Sequence, residues 1–234
     1  MVNAIIPAAG ISSRLYPLTK DLPKCLLKVG DKSLLNLQID TLKKNGIENI
    51  CIVVGYLANL IEEEVSSKAS IVVNKDYRKT NSSYSLWLAR DYMDGGFVYL
   101  NSDLFITDKW IKSLLKNKDE SCMMVDDLKK DNTDMFKIKI NNNRISSMDK
   151  ELLHSKADAL GIGPVYFNSR DSKKLKKNLD SLIVSGEKNR WCYSVFDSLL
   201  SKIKLEPIFC RGEFWCELDT IEDYHNLTNY FKKD

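Results

Sequence analysis

Between residues 3 and 116, short apolar runs alternate four times with segments of helical periodicity, and few topologies can bury such a pattern. The runs at 3–7, 49–54, 70–73 and 97–100 read as strands, the second of them rich in β-branched residues. The segments at 33–45, 57–66, 83–92 and 108–116 read as helices. The first helix is bounded by its own chemistry. Ser33 suits the N-cap, Leu34, Leu35, Leu37 and Leu42 supply an apolar stripe, and Gly46 suits the C′ position. Strands alternating with helices of this length imply βαβ units around a mostly parallel sheet. Such sheets bind ligands beyond the carboxyl ends of their strands.

The second half changes character. Residues 135–140 alternate apolar and polar, Asn141-Asn142-Asn143 is a turn signal, and 144–148 resumes an extended pattern, which reads as a hairpin. A strand at 160–167, helices at 169–182 and 190–203, a strand pair at 205–210 and 214–218, and a helix at 220–231 follow. No linker, repeat or low-complexity segment interrupts the 234 residues, so a single domain over 1–234 is expected, its second half supplying a lid on the substrate side.

Bulk properties exclude several classes. A net charge of +3 gives no basic stripe of the kind a nucleic-acid binder carries. No apolar run approaches the ~20 residues needed to span a bilayer. The apolar run 4–9 is too short for a signal-peptide core, so a cytoplasmic protein is expected. The cysteines at 25, 51, 122, 192, 210 and 216 form no CxxC pair and read as buried reduced thiols. His154 and His225 belong to no recognisable triad and read as surface or structural.

The most informative stretch runs from Pro7 to Leu27. The first strand ends in Ala8, Ala9 and Gly10, small residues that let backbone amides approach a base or phosphate closely. Arg14 and Lys24 follow on a loop stiffened by Pro17 and Pro23. An Arg that chelates phosphate oxygens and a Lys acting as a point charge are the groups a triphosphate requires. The fourth strand runs into Leu100-Asn101-Ser102-Asp103, which aims a carboxylate at the same crevice. Magnesium, a hard cation, favours such oxygens.

The stretch resembles the signature of the sugar-phosphate nucleotidyltransferases, G-x-x-S-R-L-x-P-L-T-x-x-x-P-K-x-L. Within that family the chain looks most like the bacterial choline-phosphate cytidylyltransferases. That likeness runs through Asp76-Tyr77, Asn81-Ser82-Ser83-Tyr84-Ser85-Leu86, Ser155-Lys156-Ala157 with Gly161, Ser185-Gly186-Glu187 and Glu217-Leu218-Asp219-Thr220 with Asp223-Tyr224. The resemblance implies a Rossmann-like α/β fold, a mostly parallel mixed sheet flanked by helices. Its nucleotide-binding core would lie at about 1–125, and its acceptor-binding and lid part at about 126–234. It also implies transfer of CMP from CTP to a small amino-bearing phosphate or phosphonate, with pyrophosphate leaving in line and magnesium as cofactor. The acceptor's phosphate oxygen is already ionised, so catalysis is positioning and charge neutralisation by Arg14, Lys24 and Lys156.

By the same resemblance, Ala8, Ala9, Gly10, Asn81 and Ser83 would contact the nucleotide with Arg14 and Lys24, and Asp103, Asp219 and Glu217 would hold the metal. Tyr84, Phe136, Trp191, Tyr193 and Trp215 are the aromatic faces available to a quaternary ammonium. Met135 and Cys216 stand where the choline-type pattern has aromatic neighbours, while Asp134 and Glu217 suit a primary ammonium. An aminoethylphosphonate or a phosphorylated amino-acid derivative is therefore a rival to phosphocholine. A UTP- or dTTP-dependent sugar-1-phosphate enzyme and a nucleotide-binding regulator without catalysis are the other readings. Oligomeric state is not legible.

Overall fold

The computed structural model of the chain describes residues 1–128 and 135–232. The first half runs β1 (Asn3–Ala8), a ribbon of β2 (Lys28–Val29) and β3 (Lys32–Ser33), α1 (Leu34–Lys44), β4 (Ile50–Val54), α2 (Ala58–Val65), β5 (Ser70–Val73), α3 (Ser82–Leu88) and β6 (Phe97–Tyr99). Next come β7 (Leu104–Phe105), α4 (Asp108–Leu114) and β8 (Ser121–Asp126). The second half holds β9 (Phe136–Asn141), β10 (Arg144–Asp149), β11 (Ala159–Phe167), α5 (Ser169–Val184), α6 (Cys192–Asp197), β12 (Leu205–Phe209), β13 (Cys216–Glu217) and α7 (Ile221–Phe231).

Among the described residues one mixed nine-stranded sheet dominates, its main path running β10-β9-β11-β6-β1-β4-β5, with β8 pairing both β11 and β12. Strands β6, β1, β4 and β5 are mutually parallel. Strand β11 is antiparallel to β6, β8 and β9, and joins the parallel core to the β9–β10 hairpin. This is the Rossmann-like mixed sheet with flanking helices that the resemblance implied, and its parallel core is the one the alternation predicted.

The two-residue period of the strands divides the apolar side chains between two faces. Ile6, Ile52 and Val98 pack with Leu35, Ile39 and Trp110 on one side. Ile5, Val53 and Tyr99 pack with Leu86, Phe167 and Phe196 on the other. A third cluster joins Leu15, Val29, Leu34 and Phe105 to Leu218 and Leu227 of the C-terminal segment. It ties the loop after β1 to the approach to α7, segments about two hundred residues apart in the chain.

Local rules set the helix limits. Ser33 caps α1 by accepting from the Asn36 amide. Thr220 and Asp223 form a reciprocal capping box at α7. The expected helix at 83–92 stops at Leu88, where the chain tightens into a 3-10 turn over Arg90–Met93. The expected helix at 190–203 is helical only over Cys192–Asp197. The expected pairing of 205–210 with 214–218 is not made. β12 instead runs parallel to β8, and β13 pairs antiparallel with β7. The buried backbone of β8 needs hydrogen-bond partners along its second edge, and β12 supplies them. All six cysteines are buried. No helix among the described residues is long and apolar enough to cross a membrane.

Candidate active site

The loop after β1 is held from inside. Leu15 is buried in the third cluster, and Thr19 Oγ1 donates to the Ser12 carbonyl at 2.8 Å. Ala8 and Ala9 are buried, and Gly10 has open space where a side chain would stand. Gly55, at the end of β4, lets the neighbouring strand close on this loop. A Cβ there would lie 2.7 Å from the Tyr77 Cβ and 2.9 Å from both the Ala9 Cβ and carbonyl oxygen. The Tyr56 amide donates to that carbonyl at 3.2 Å.

Two carboxylates meet on this loop through one lysine. Lys24 Nζ donates to Asp103 Oδ2 at 2.6 Å and to Asp219 Oδ1 at 2.9 Å. Arg14, with its side chain 62% exposed, reaches Asp219 Oδ1 at 3.0 Å. Burial opposes the Lys24 charge, but Asp103 and Asp219 outweigh it and hold the ammonium above its ordinary pKa. Asp219 is not at the end of a strand of the main sheet. It follows the β13–β7 ribbon, where the Leu218 amide donates to the Asp103 carbonyl at 2.8 Å and sets the two carboxylates side by side. Fully buried Gln38 braces the Asp103 turn, its Nε2 donating to the carbonyls of Asn101 at 2.8 Å and Leu104 at 2.6 Å.

These residues fit a divalent cation as part of a shared site. Asp103 Oδ1 is buried without a hydrogen-bond partner, which leaves a hard oxygen to be satisfied. Among the described residues no three acidic, His or Cys side chains gather as a metal cage. Magnesium ordinarily takes one or two carboxylates and completes its shell with phosphate oxygens and water. Glu217 lines the same cleft. Burial, then the charges of Asp103 and Asp219, push its carboxyl up to about 8, with Lys24 and Lys150 opposing.

The cleft, about 440 Å³, runs from this loop to an aromatic end. Ala8, Ala9, Gly10, Arg14, Lys24, Asn81, Asp103 and Asp219 all line it, as expected from the sequence. Ser83 does not. It is buried, and Ser82 and Ser85 face the cleft instead, because Asn81 caps α3 and fixes its phase. Asn74, missed in the sequence, donates to Thr80 and Ser85 hydroxyls at 3.1 Å each and stiffens that wall.

At the far end, Phe136, Trp191 and Tyr193 line the cleft with Met135. Tyr193 OH accepts from Asn101 Nδ2 at 3.3 Å, and burial raises its phenol well above its ordinary pKa. Three other expectations fail. Tyr84 stacks on Trp87 at 5.5 Å, away from the cleft. Trp215 is 7% exposed and points inward, its Nε1 donating to Asp126 Oδ2 at 2.8 Å. Lys156 is exposed on a short turn outside the cleft, and Lys150 lines it instead. Lys150 belongs to no recognisable motif, so nothing local in the sequence marks it. Asp134 lies outside the described residues. His154 contacts the Leu128 carbonyl at 3.1 Å, and neither it nor His225 lines the cleft.

A family model described as nucleotidyl transferase matches residues 3–233. The chain is 27% identical to the choline-phosphate cytidylyltransferase of Streptococcus pneumoniae over 244 residues, covering 100% of both chains. It is 26% identical to the CTP:phosphoglutamine cytidylyltransferase of Campylobacter jejuni, over 95% of this chain and 97% of that protein. The solved CTP:phosphocholine cytidylyltransferase from Streptococcus pneumoniae shares the fold, with a TM-score of 0.83 at 23% identity, over 98% of this chain and 99% of that one.

Proposed function

The chain belongs to the nucleotidyl transferase family, and from that premise we propose that it transfers CMP from CTP to a small amino-bearing phosphate or phosphonate, releasing pyrophosphate. One observation carries the reading: Lys24 joins Asp103 and Asp219 at the junction between the loop after β1 and the aromatic end of the cleft. A triphosphate on the loop and an acceptor at the aromatic end would meet there. The two full-length relatives named for cytidylyl transfer support CTP as the donor. A sugar phosphate would call for more polar side chains than the aromatic set that lines the acceptor end.

The chain's own groups carry the chemistry by placement. Ala9 and Gly10 line the part of the cleft where the nucleotide's phosphates would lie, and Asn81, Ser82 and Ser85 would form the wall for its base. Arg14 and Lys24 neutralise phosphate oxygens and hold the α-phosphorus for attack from the acceptor side. The acceptor oxygen forms its bond to the α-phosphorus as the bond to pyrophosphate breaks, and no protein base is required because that oxygen is already ionised. Asp103 and Asp219 would hold magnesium, which supplies further neutralisation of the phosphates when bound.

The test is magnesium-dependent pyrophosphate release from CTP and UTP with amino-bearing phosphates, aminoethylphosphonate and glucose-1-phosphate. CTP with an amino-bearing acceptor is the expected pair. Release only from UTP with the sugar phosphate would move the protein to the sugar-nucleotide class. Nucleotide binding without release from any pair would favour a regulator.

A further inference from the structure

The aromatic end of the cleft already contains a cation. Lys150 Nζ stands 4.9 Å from the Trp191 ring centroid and 5.4 Å from that of Phe136. Both distances are within the ~6 Å reach of a cation–π contact. The rings that would otherwise attract an acceptor's quaternary ammonium therefore already have the chain's own charge beside them.

Lys150 is built into this position. In the hairpin, Lys137 is opposite Asp149, so the next step along each strand brings Phe136 and Lys150 together. The ammonium of buried Lys137 donates to the Lys150 carbonyl at 2.6 Å. Two residues earlier, the Met148 amide donates to Asp197 Oδ1 at 2.7 Å, which fastens the segment to α6. That helix also carries Tyr193, and Trp191 is its N-cap residue. The Lys150 backbone, Phe136, Trp191 and Tyr193 thus move as one wall.

We propose that Lys150 is a specificity-determining residue that makes the acceptor end of the cleft a receptor for an anionic group, selecting acceptors that carry a carboxylate besides their phosphate and disfavouring quaternary ammonium compounds. The inference rests on the transferase reading and deepens it by naming the acceptor class. A carboxylate entering beside Lys150 gains a charge-assisted hydrogen bond from the ammonium and keeps its alkyl stem against the rings. A trimethylammonium entering the same space meets a like charge beside both rings and, unlike a primary ammonium, has no N–H to donate to a carboxyl such as that of Glu217 in the same cleft.

Three compounds isolate the effect. O-phosphoserine is phosphoethanolamine with an added carboxylate, and phosphocholine is phosphoethanolamine with three added methyl groups. For the wild-type protein with CTP and magnesium, kcat/KM is expected to fall in the order phosphoserine, phosphoethanolamine, phosphocholine. Lys150→Met should cut the phosphoserine-to-phosphocholine ratio by roughly 10- to 100-fold, the worth of a hydrogen bond to a charged group. Lys150→Arg should preserve the order. Phosphocholine as the preferred wild-type acceptor, or a ratio unchanged in Lys150→Met, would overturn the proposal. Calorimetric binding of the same three compounds separates the two claims. If no acceptor yields pyrophosphate, the transferase reading fails, while a Lys150-dependent preference in binding still supports the anionic site and its absence overturns it.

Discussion

Lys24→Met removes the cation that, among the described residues, joins Asp103 and Asp219. The lysine side chain is 11% exposed and the carboxylates 20% and 24% exposed, so the ion pairs are neither deep nor freely solvated. Breaking a fully buried pair costs about 3–5 kcal/mol, whereas exposed pairs contribute about 0–1 kcal/mol. Partial exposure places this loss between them, at about 2 kcal/mol. Methionine keeps most of the stem's packing, so the loss is largely electrostatic. The effect on transfer should be larger. A preorganised donor at the site of developing charge is worth on the order of 100- to 1,000-fold in rate. The two effects separate in paired assays. Pyrophosphate release gives the rate, and thermal melting with and without magnesium gives the stability. Without magnesium the variant should melt lower than wild type, because two neighbouring carboxylates then lose their shared buried cation and the exposed Arg14 on Asp219 offsets only part of their repulsion. Magnesium should recover more stability in the variant than in wild type, since the divalent cation replaces the lost charge there. A variant whose kcat/KM stays within about threefold of wild type, or whose melting matches wild type in both conditions, would refute this account of the junction.

Gly55→Ala should raise KM for the nucleotide and cost about 1–3 kcal/mol of stability, because its methyl would press on the Ala9 backbone; unchanged denaturant midpoint and KM would show that the loop relaxes freely. Gln38→Leu strips the carbonyls of Asn101 and Leu104 of a shared donor. It should lower stability by about 2–4 kcal/mol and kcat by at least about tenfold, and a normal kcat in folded variant would show that Asp103 does not depend on this brace. Trp215→Phe should cost about 1–2 kcal/mol through its lost bond to Asp126 and leave acceptor preference alone. A changed order of acceptors would put Trp215 back in the cleft.

The part of the cleft proposed for the nucleotide was legible because its chemistry is local. The small residues after β1, Arg14, Lys24 and the approach to Asp103 lie where a strand end or one continuous loop must put them. Ser83 failed for a reason of helical phase. Once Asn81 caps α3, Ser82 and Ser85 share one face at i and i+3, and Ser83 turns into the core. The C-terminal strands failed because pairing is a tertiary choice. The segments at 205–210 and 214–218 have the spacing of a hairpin, yet the free edges of β8 and β7 claim them separately. That exchange is what delivers Asp219 to Asp103.

The part of the cleft proposed for the acceptor was less legible because its wall is assembled from β9, the end of β10 and α6. Lys150 and Lys156 are close in sequence and alike in chemistry, and only the tertiary anchors distinguish them. Lys137 and Asp197 draw the first into the cleft, whereas the turn carrying the second leaves it in solvent. The same logic separates the tryptophans. Trp215 satisfies its Nε1 in the interior, whereas Trp191 remains 51% exposed at the mouth with Lys150 over its ring. The charges of the assembled cleft are nearly balanced, Arg14, Lys24 and Lys150 facing Asp103 and Asp219, while the Glu217 carboxyl, pushed up to about 8, is largely protonated near neutral pH. A triphosphate and a second phosphate entering together would bring a large negative surplus into this balanced enclosure. Protein cations already engaged with carboxylates cannot offset that surplus alone, and this is the physical reason to expect transfer to depend on a divalent ion at Asp103 and Asp219.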